Sequence, residues 1–219
     1  MAIVAIDGPA GAGKSSVAKG LASRLGYRYV NTGAIYRTIA LYAMRNNLED
    51  ETLISESALT LDMGFEGDIV QLNGEDVSQA IREPEVAQMA SKVSALPKVR
   101  SSLLELQRRL ANEAEKGAVL EGRDIGTVVF PNAETKIFLT ASAETRAMRR
   151  TKQLEENGDS PSYEKILSEI KKRDERDSQR AIAPLKPAAD AVIVDSDGKN
   201  LNEVISEIAA IASRRLLDE

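Results

Sequence analysis

The chain contains no cysteine and no histidine among its 219 residues. Without cysteine, disulfides and thiolate metal sites are excluded, and without histidine no imidazole can serve as base, nucleophile or ligand. No stretch approaches the roughly 20 consecutive apolar residues that a membrane span needs. Chemistry in this chain therefore depends on lysine, arginine, carboxylates, hydroxyls and any bound ion.

The charge balance is mildly acidic, with 29 Lys and Arg residues against 34 Asp and Glu residues and a net charge of -5. This balance argues against a broad nucleic-acid surface. The first apolar run, Ala2 to Ile6, is too short for the core of a signal peptide and lacks a preceding basic segment. We expect one domain over residues 1–219 in the cytoplasm, without nucleic-acid or membrane partners.

Five short apolar segments, separated by helical patterns, predict five strands. They read AIVAI, YRYV, AVLE, KIFLTA and AVIVDS. Strands that alternate with helices in this way predict an α/β fold, with helices on both faces of a parallel sheet. Two segments interrupt the alternation. LDMGFEGDIVQLNGEDVSQAI, with the turn signal Asn73-Gly74, predicts a small antiparallel insert, and EENGDSPSY predicts a mobile loop between two helices.

A phosphate-binding pattern follows the first predicted strand. Residues 8–15 read Gly, four residues, Gly, Lys, Ser, and a helical apolar face with Val17 and Leu21 comes next. In such a loop the glycines let backbone N–H groups face phosphate oxygens, Lys14 reaches the terminal phosphates, and the Ser15 hydroxyl can ligate magnesium. The predicted ATP site consists of Gly8, Pro9, Ala10, Gly11, Ala12, Gly13, Lys14, Ser15 and Ser16, with Ser15 as the metal ligand.

A loop of this kind serves GTPases, ATP-driven machines and phosphoryl-transfer enzymes. The sequence has no Asn-Lys-x-Asp motif for guanine, which disfavours a GTPase. Arg37 follows the second predicted strand and Arg123 follows another, at the sheet edge where open parallel sheets bind ligands. These two cations indicate a second substrate that carries a phosphate group.

The segment YEKILSEIKKRDERDSQR predicts a helix whose apolar stripe becomes charged along its length. Ile166 and Ile170 begin the stripe, and Arg173, Asp177 and Arg180 continue it. Such a face either lines a polar site or forms a solvated, salt-bridged helix end. Beside the stripe, Arg176 can close over a transferring phosphoryl group.

A second basic cluster, Arg146, Arg149 and Arg150, precedes the predicted loop. Arginines at this place can cover a triphosphate or form a solvated basic face. Phosphoryl transfer suits a chain without histidine and cysteine, because its transition state mainly requires positioning and positive charge.

Four blocks occur together in the order typical of one family: GPAGAGKSS, NTGAIYR, EGRDIGTVVFPNAETKIFL and RDERDSQRAIAPLKPAADAVIVD. On these blocks the chain resembles the bacterial cytidylate kinases, the (d)CMP kinases of the nucleoside monophosphate kinase group, from about Ile3 to its last helix. The resemblance implies a P-loop NTPase-like three-layer fold with a five-stranded parallel sheet. It also implies a monophosphate-binding insert at about 59–92, a lid at about 151–163, and a monomer.

The resemblance further implies transfer of the ATP γ-phosphoryl group to CMP or dCMP with magnesium, within pyrimidine nucleotide metabolism. The implied catalytic residues are Lys14, Arg123, Arg176 and Arg180. The residues that the resemblance implies for binding the acceptor's phosphate and sugar are Thr32, Arg37, Arg123, Arg173, Asp177 and Arg180. Those that it implies for binding cytosine are Ser91, Arg100 and Asp124. A carboxylate paired with donors complements cytosine, which presents an amine donor and two acceptors. Insert and lid are expected to close and exclude water.

One departure from the family concerns Asn31, which stands where an Asp is common and removes a charged contact to water or magnesium. Two alternative functions stay open. One is a P-loop kinase for another small acceptor, such as a different nucleoside monophosphate or shikimate. The other is an ATP-binding regulatory or RNA-binding protein without turnover.

Overall fold

The computed structural model describes residues 1–156 and 158–217. Strands form at all five predicted segments, and three more strands lie in the predicted insert. The strands are β1 (Ala2–Asp7), β2 (Arg28–Asn31), β3 (Met63–Glu66), β4 (Ile69–Leu72), β5 (Glu75–Asp76), β6 (Gly117–Gly122), β7 (Thr135–Thr140) and β8 (Val192–Asp195). The α-helices are α1 (Lys14–Leu25), α2 (Thr32–Arg45), α3 (Glu51–Thr60), α4 (Pro84–Val93), α5 (Pro97–Asn112), α6 (Ala143–Glu156), α7 (Tyr163–Ser178) and α8 (Leu201–Leu217).

The main sheet has five strands in the order β2-β6-β1-β7-β8, and every neighbouring pair is parallel. At its centre, Val4 lies opposite Val119 of β6 and Thr135 of β7. The order is not the chain order, so helices must cross between the strands on both faces. The five-stranded parallel sheet is therefore confirmed.

Alternate residues of β1 point to opposite faces of the sheet. Ile3 and Ala5 belong to an apolar core shared with α2, α3, α4 and α5. Val4 and Ile6 belong to a second core, shared with α1 and α8. Two apolar cores separated by one sheet make the three-layer arrangement that the sequence predicted.

Local signals set several helix ends. Gly26 caps α1 in the left-handed region, with φ of 66°, which favours glycine. The Asn31 side chain caps α2 by accepting a 3.0 Å hydrogen bond from the Ala34 backbone N–H. Pro97 occupies the first position of α5, where the missing N–H costs nothing. The departure at position 31 thus has a helix-capping role.

The insert contains an antiparallel sheet of β3, β4 and β5. Asn73 and Gly74 form the two-residue turn between β4 and β5 with φ values of 51° and 81°, the conformation that favours Asn-Gly. The predicted antiparallel insert is confirmed. In the turn between β3 and β4, Asp68 pairs with Lys19 of α1, so the insert contacts the main body.

In the C-terminal half, the structure differs from the sequence expectations at the lid and at the end of α7. The first part of the predicted lid, 151–156, continues α6, and residue 157 of the lid and residues 218–219 of the predicted domain lie outside the described residues. The helical stripe was predicted to include Arg180, which is wrong, because α7 ends at Ser178. Within the described ranges, none of the helices is long and apolar enough to cross a membrane.

Candidate active site

The loop between β1 and α1 has a backbone that only small residues permit. A Cβ atom at Gly8 would lie 2.0 Å from the Leu139 carbonyl oxygen of β7. Gly13, which precedes α1, has φ of 91° in the left-handed region. The predicted ATP-site residues of this loop therefore lie together at the carboxyl edge of the sheet, against the first turn of α1.

Lys14 is buried at the start of α1, and its ammonium group donates a 2.7 Å hydrogen bond to the Pro9 carbonyl oxygen. Burial lowers the pKa of Lys14 well below its usual value, and the charges of Arg123 and Arg173 lower it further. The negative charge of Glu121 acts in the opposite direction and raises this pKa. An anion bound beside Lys14 would offset its loss of hydration and its repulsion by Arg123 and Arg173. Ser15 and Ser16 are exposed on the next positions of the helix.

Three predicted acceptor-site arginines come from separate elements: Arg37 from α2, Arg123 from the end of β6, and Arg173 from α7. Burial lowers the pKa of Arg173 to about 10, and the charge of Arg123 is the next cause. Burial also lowers the pKa of Arg37, with Arg123 contributing. The buried Nε of Arg173 has no hydrogen-bond partner among residues 1–156 and 158–217. An anion bound among these arginines would offset their mutual repulsion and would give the buried Arg173 Nε an acceptor.

Asp177 lies beneath this arginine cluster with a side chain only 1% exposed. It accepts a 3.1 Å hydrogen bond from Arg123 Nε, and Arg180, just beyond the helix, pairs with its other carboxylate oxygen. Burial opposes its ionisation, but Arg123, Arg180 and Arg173 outweigh burial and lower the pKa of Asp177. Asp177 thus orients two of the predicted acceptor-site cations. Arg176 is exposed on the same helix.

A second buried pair joins Arg100 of α5 to Asp124, with side chains 10% and 7% exposed. Arg100 also donates a 3.0 Å hydrogen bond to the Ser94 carbonyl oxygen and lies 5.6 Å from the centre of the Tyr36 ring. Nearby in the chain, the buried Ser91 hydroxyl has no hydrogen-bond partner within the described part of the molecule. The predicted base-reading residues thus include a preformed acceptor-donor pair.

Thr32, the remaining predicted acceptor residue, is buried at the start of α2. Its hydroxyl donates a 2.7 Å hydrogen bond to the Glu121 carbonyl oxygen. It therefore joins α2, which also carries Arg37, to the end of β6.

Two further carboxylates, which the sequence motifs did not indicate, are buried at this edge. Asp7 accepts 2.8 Å hydrogen bonds from the backbone N–H groups of Ile125 and Gly126, and burial raises its pKa to about 6. Glu121 accepts a 2.6 Å hydrogen bond from the Tyr29 hydroxyl. Each carboxylate lies at or near the carboxyl end of a predicted strand, which is the signal that could have identified it.

The three arginines of the second basic cluster, Arg146, Arg149 and Arg150, each contact a different partner. Arg146 is buried and pairs with Asp174 at 2.6 Å, so it is not part of a solvated face. Arg149 donates a 3.0 Å hydrogen bond to the Ser196 hydroxyl, whereas Arg150 donates a 2.8 Å bond to Gln153 of the same helix.

The chain shows extensive similarity to known proteins. A family model described as cytidylate kinase matches residues 4–214. A cytidylate kinase of Mycobacterium leprae is 49% identical over 215 residues, which cover 97% of this chain and 96% of that relative. A cytidylate kinase of Carboxydothermus hydrogenoformans is 48% identical over 218 residues, 97% of each chain. The solved structure of an uncharacterized protein from Eubacterium ventriosum covers 97% of this chain and 99% of its own, with 16% identity and a TM-score of 0.50. At that identity the likeness concerns the fold alone.

Proposed function

The chain belongs to the cytidylate kinase family, and from this premise we propose that it transfers the γ-phosphoryl group of ATP to CMP or dCMP. The products are ADP and CDP or dCDP, so the chain is a phosphotransferase with a phosphate group as acceptor. The observation that carries the proposal is that the predicted donor-site lysine and the predicted acceptor-site arginines lie at one edge of the sheet. Lys14, in the phosphate loop, interacts electrostatically with Arg123 and Arg173 of the acceptor cluster.

The donor half binds ATP through the loop and the start of α1. Backbone N–H groups of the loop face the phosphates. Lys14 gives up its hydrogen bond to the Pro9 carbonyl oxygen and donates instead to the transferring phosphoryl group. The exposed Ser15 hydroxyl and the Glu121 carboxylate are oxygen donors of the kind that Mg²⁺ prefers, and they fit an ion that retains several phosphate and water ligands. When bound, magnesium neutralises charge on the phosphate oxygens.

The acceptor half binds the nucleoside monophosphate. Arg37, Arg123 and Arg173 hold its phosphate, and the absence of a hydrogen-bond partner for Arg173 Nε within the described part of the chain supports this role. Asp177 orients Arg123 and accepts a hydrogen bond from a sugar hydroxyl. Arg176, which is exposed on the same helix, closes over the transferring phosphoryl group.

Base choice rests on the Arg100–Asp124 pair. The Asp124 carboxylate accepts from the exocyclic amine of cytosine, which uracil lacks. Arg100 and the Ser91 hydroxyl donate to the ring acceptors, and the absence of a partner for the buried Ser91 hydroxyl within the described residues supports this. A purine or uracil would leave these buried groups mispaired.

In the reaction, an oxygen of the acceptor phosphate attacks the γ-phosphorus in line, and ADP leaves with the electrons of the broken bond. Charge spreads over the transferring oxygens, where Lys14 and Arg123 stabilise it. The insert and lid close over both nucleotides, which keeps water from accepting the phosphoryl group. A monomeric, cytoplasmic enzyme of pyrimidine nucleotide metabolism is part of the same proposal.

Initial rates with ATP and a panel of acceptors test the proposed function. CMP, dCMP, UMP, AMP and shikimate are compared, with ADP and the phosphorylated product quantified separately by chromatography. We expect CMP and dCMP to give the highest kcat/KM. Equal rates with all acceptors would refute the assignment. ATP binding without product, together with polynucleotide affinity that falls with salt, would favour the regulatory or RNA-binding alternative.

A further inference from the structure

Arg146 of α6 makes an unusually complete set of contacts for a residue with no assigned role. It is 4% exposed, and all three guanidinium nitrogens donate hydrogen bonds. Nε donates to the Ala141 carbonyl oxygen at 3.0 Å, and Nη1 donates to the Ala10 carbonyl oxygen at 3.1 Å. Nη1 and Nη2 bind the two carboxylate oxygens of Asp174 at 2.9 and 2.6 Å.

These contacts join the two halves of the cleft. Ala10 belongs to the phosphate loop, and a Cβ atom at Gly11 would lie 3.3 Å from Cβ of Arg146, so the loop packs directly on this side chain. Asp174 belongs to α7, directly after Arg173 and one turn before Asp177. One guanidinium group thus bridges the predicted donor loop and the helix that carries the predicted acceptor-site residues.

The side chains of this ion pair are 5% exposed for Arg146 and 27% exposed for Asp174. A largely buried pair contributes little net stability compared with apolar residues of similar size, because the charges lose much of their hydration. A bidentate arginine-carboxylate pair does restrict orientation, since two parallel hydrogen bonds fix both the distance and the plane. Phosphoryl transfer depends strongly on such alignment of donor and acceptor. On the basis of the proposed function, we propose that Arg146 and Asp174 are positioning residues that hold the acceptor side chains of α7 in register with the phosphate loop.

The same two helices offer a matched control. Glu144 of α6 and Lys171 of α7 form a 3.0 Å ion pair whose side chains are 54% and 58% exposed. An exposed pair is screened by water and salt and holds its partners weakly. Loss of this pair removes an α6–α7 contact of the same chemical type without reaching the phosphate loop.

The test compares Asp174→Asn with Lys171→Gln. For each purified variant we measure kcat, the KM values for ATP and CMP, and the ratio of ADP formed to CDP formed. We expect Asp174→Asn to lower kcat by up to about 100-fold with smaller changes in KM. We also expect more than one ADP per CDP, because water replaces the misaligned acceptor. Lys171→Gln should retain the wild-type kcat and one ADP per CDP.

A folded Asp174→Asn variant with wild-type kcat and one ADP per CDP would overturn the proposal, even with a lower melting temperature, because the pair would then serve stability alone. If Asp174→Asn does not fold, Arg146→Lys is measured with the same two outcomes, since it keeps the charge and loses the bidentate geometry. A wild-type chain that forms no CDP refutes the proposed function itself. An active wild type with an unaffected variant refutes this inference alone.

Discussion

Replacement of Asp124 by Asn tests the base-reading pair directly. In the structure Asp124 binds Arg100, and the two side chains are only 7% and 10% exposed. Asparagine keeps the shape of the side chain, removes its charge and replaces one acceptor oxygen with an N–H donor. That donor opposes the exocyclic amine of cytosine but complements the carbonyl oxygen that uracil presents at the same position.

The expected effect follows from the hydrogen bond that is lost. A hydrogen bond to a charged group contributes about 1.5–3 kcal/mol, which corresponds to about a 10- to 150-fold change at about 1.4 kcal/mol per factor of ten. We therefore expect the ratio of kcat/KM for CMP to kcat/KM for UMP to fall by about 10- to 150-fold. The variant also leaves Arg100 without its charged partner, and breaking a buried pair costs about 3–5 kcal/mol of stability.

The assay measures kcat/KM for CMP and for UMP at saturating ATP in one preparation, after a thermal melt confirms that the variant is folded. The KM for ATP should stay near the wild-type value, because Asp124 lies on the acceptor side. Glu105→Gln is the matched control, because Glu105 pairs with Arg108 on the same helix as Arg100 but is 81% exposed. A folded Asp124→Asn variant with an unchanged CMP-to-UMP ratio would refute the role of this residue.

Three further changes test the rest of the site. Lys14→Ala should lower kcat by at least about 100-fold, because it removes a desolvated cation from the transferring phosphoryl group; a kcat within tenfold of wild type would contradict this. Arg123→Ala should lower kcat/KM for CMP by more than tenfold while calorimetry shows nearly unchanged ATP binding, since its partner is the acceptor phosphate; an equal loss of ATP binding would place it in the donor half instead. Burial raises the pKa of Asp7 to about 6 from 3.8, so the folded chain binds this proton more tightly than the unfolded chain. The free energy of unfolding should therefore fall by up to about 3 kcal/mol between about pH 4 and pH 6. Urea titrations of Asp7→Asn should lack this decrease, and an identical pH dependence in variant and wild type would show that Asp7 is not its source.

The amino-acid sequence alone determined the features that depend on neighbouring residues. Apolar runs of strand length predicted all five strands of the main sheet, because burial on both faces requires such runs. Gly26, Pro97 and the Asn73-Gly74 turn marked element boundaries through their own backbone preferences. The phosphate loop could also be predicted from the sequence, because its glycines, its lysine and the following helix are contiguous in the chain.

Tertiary structure decided what depends on residues far apart in the chain. The crossover order of the strands brings Arg37, Arg123 and Arg173 to one edge of the sheet, and their mutual repulsion exists only there. The sequence placed Arg146 on a basic helix but could not show its pairing with Asp174, which is 28 residues away. Side chains so separated in sequence meet only after the sheet and helices have packed. Packing then brings charged groups together, and burial raises the proton affinity of Asp7.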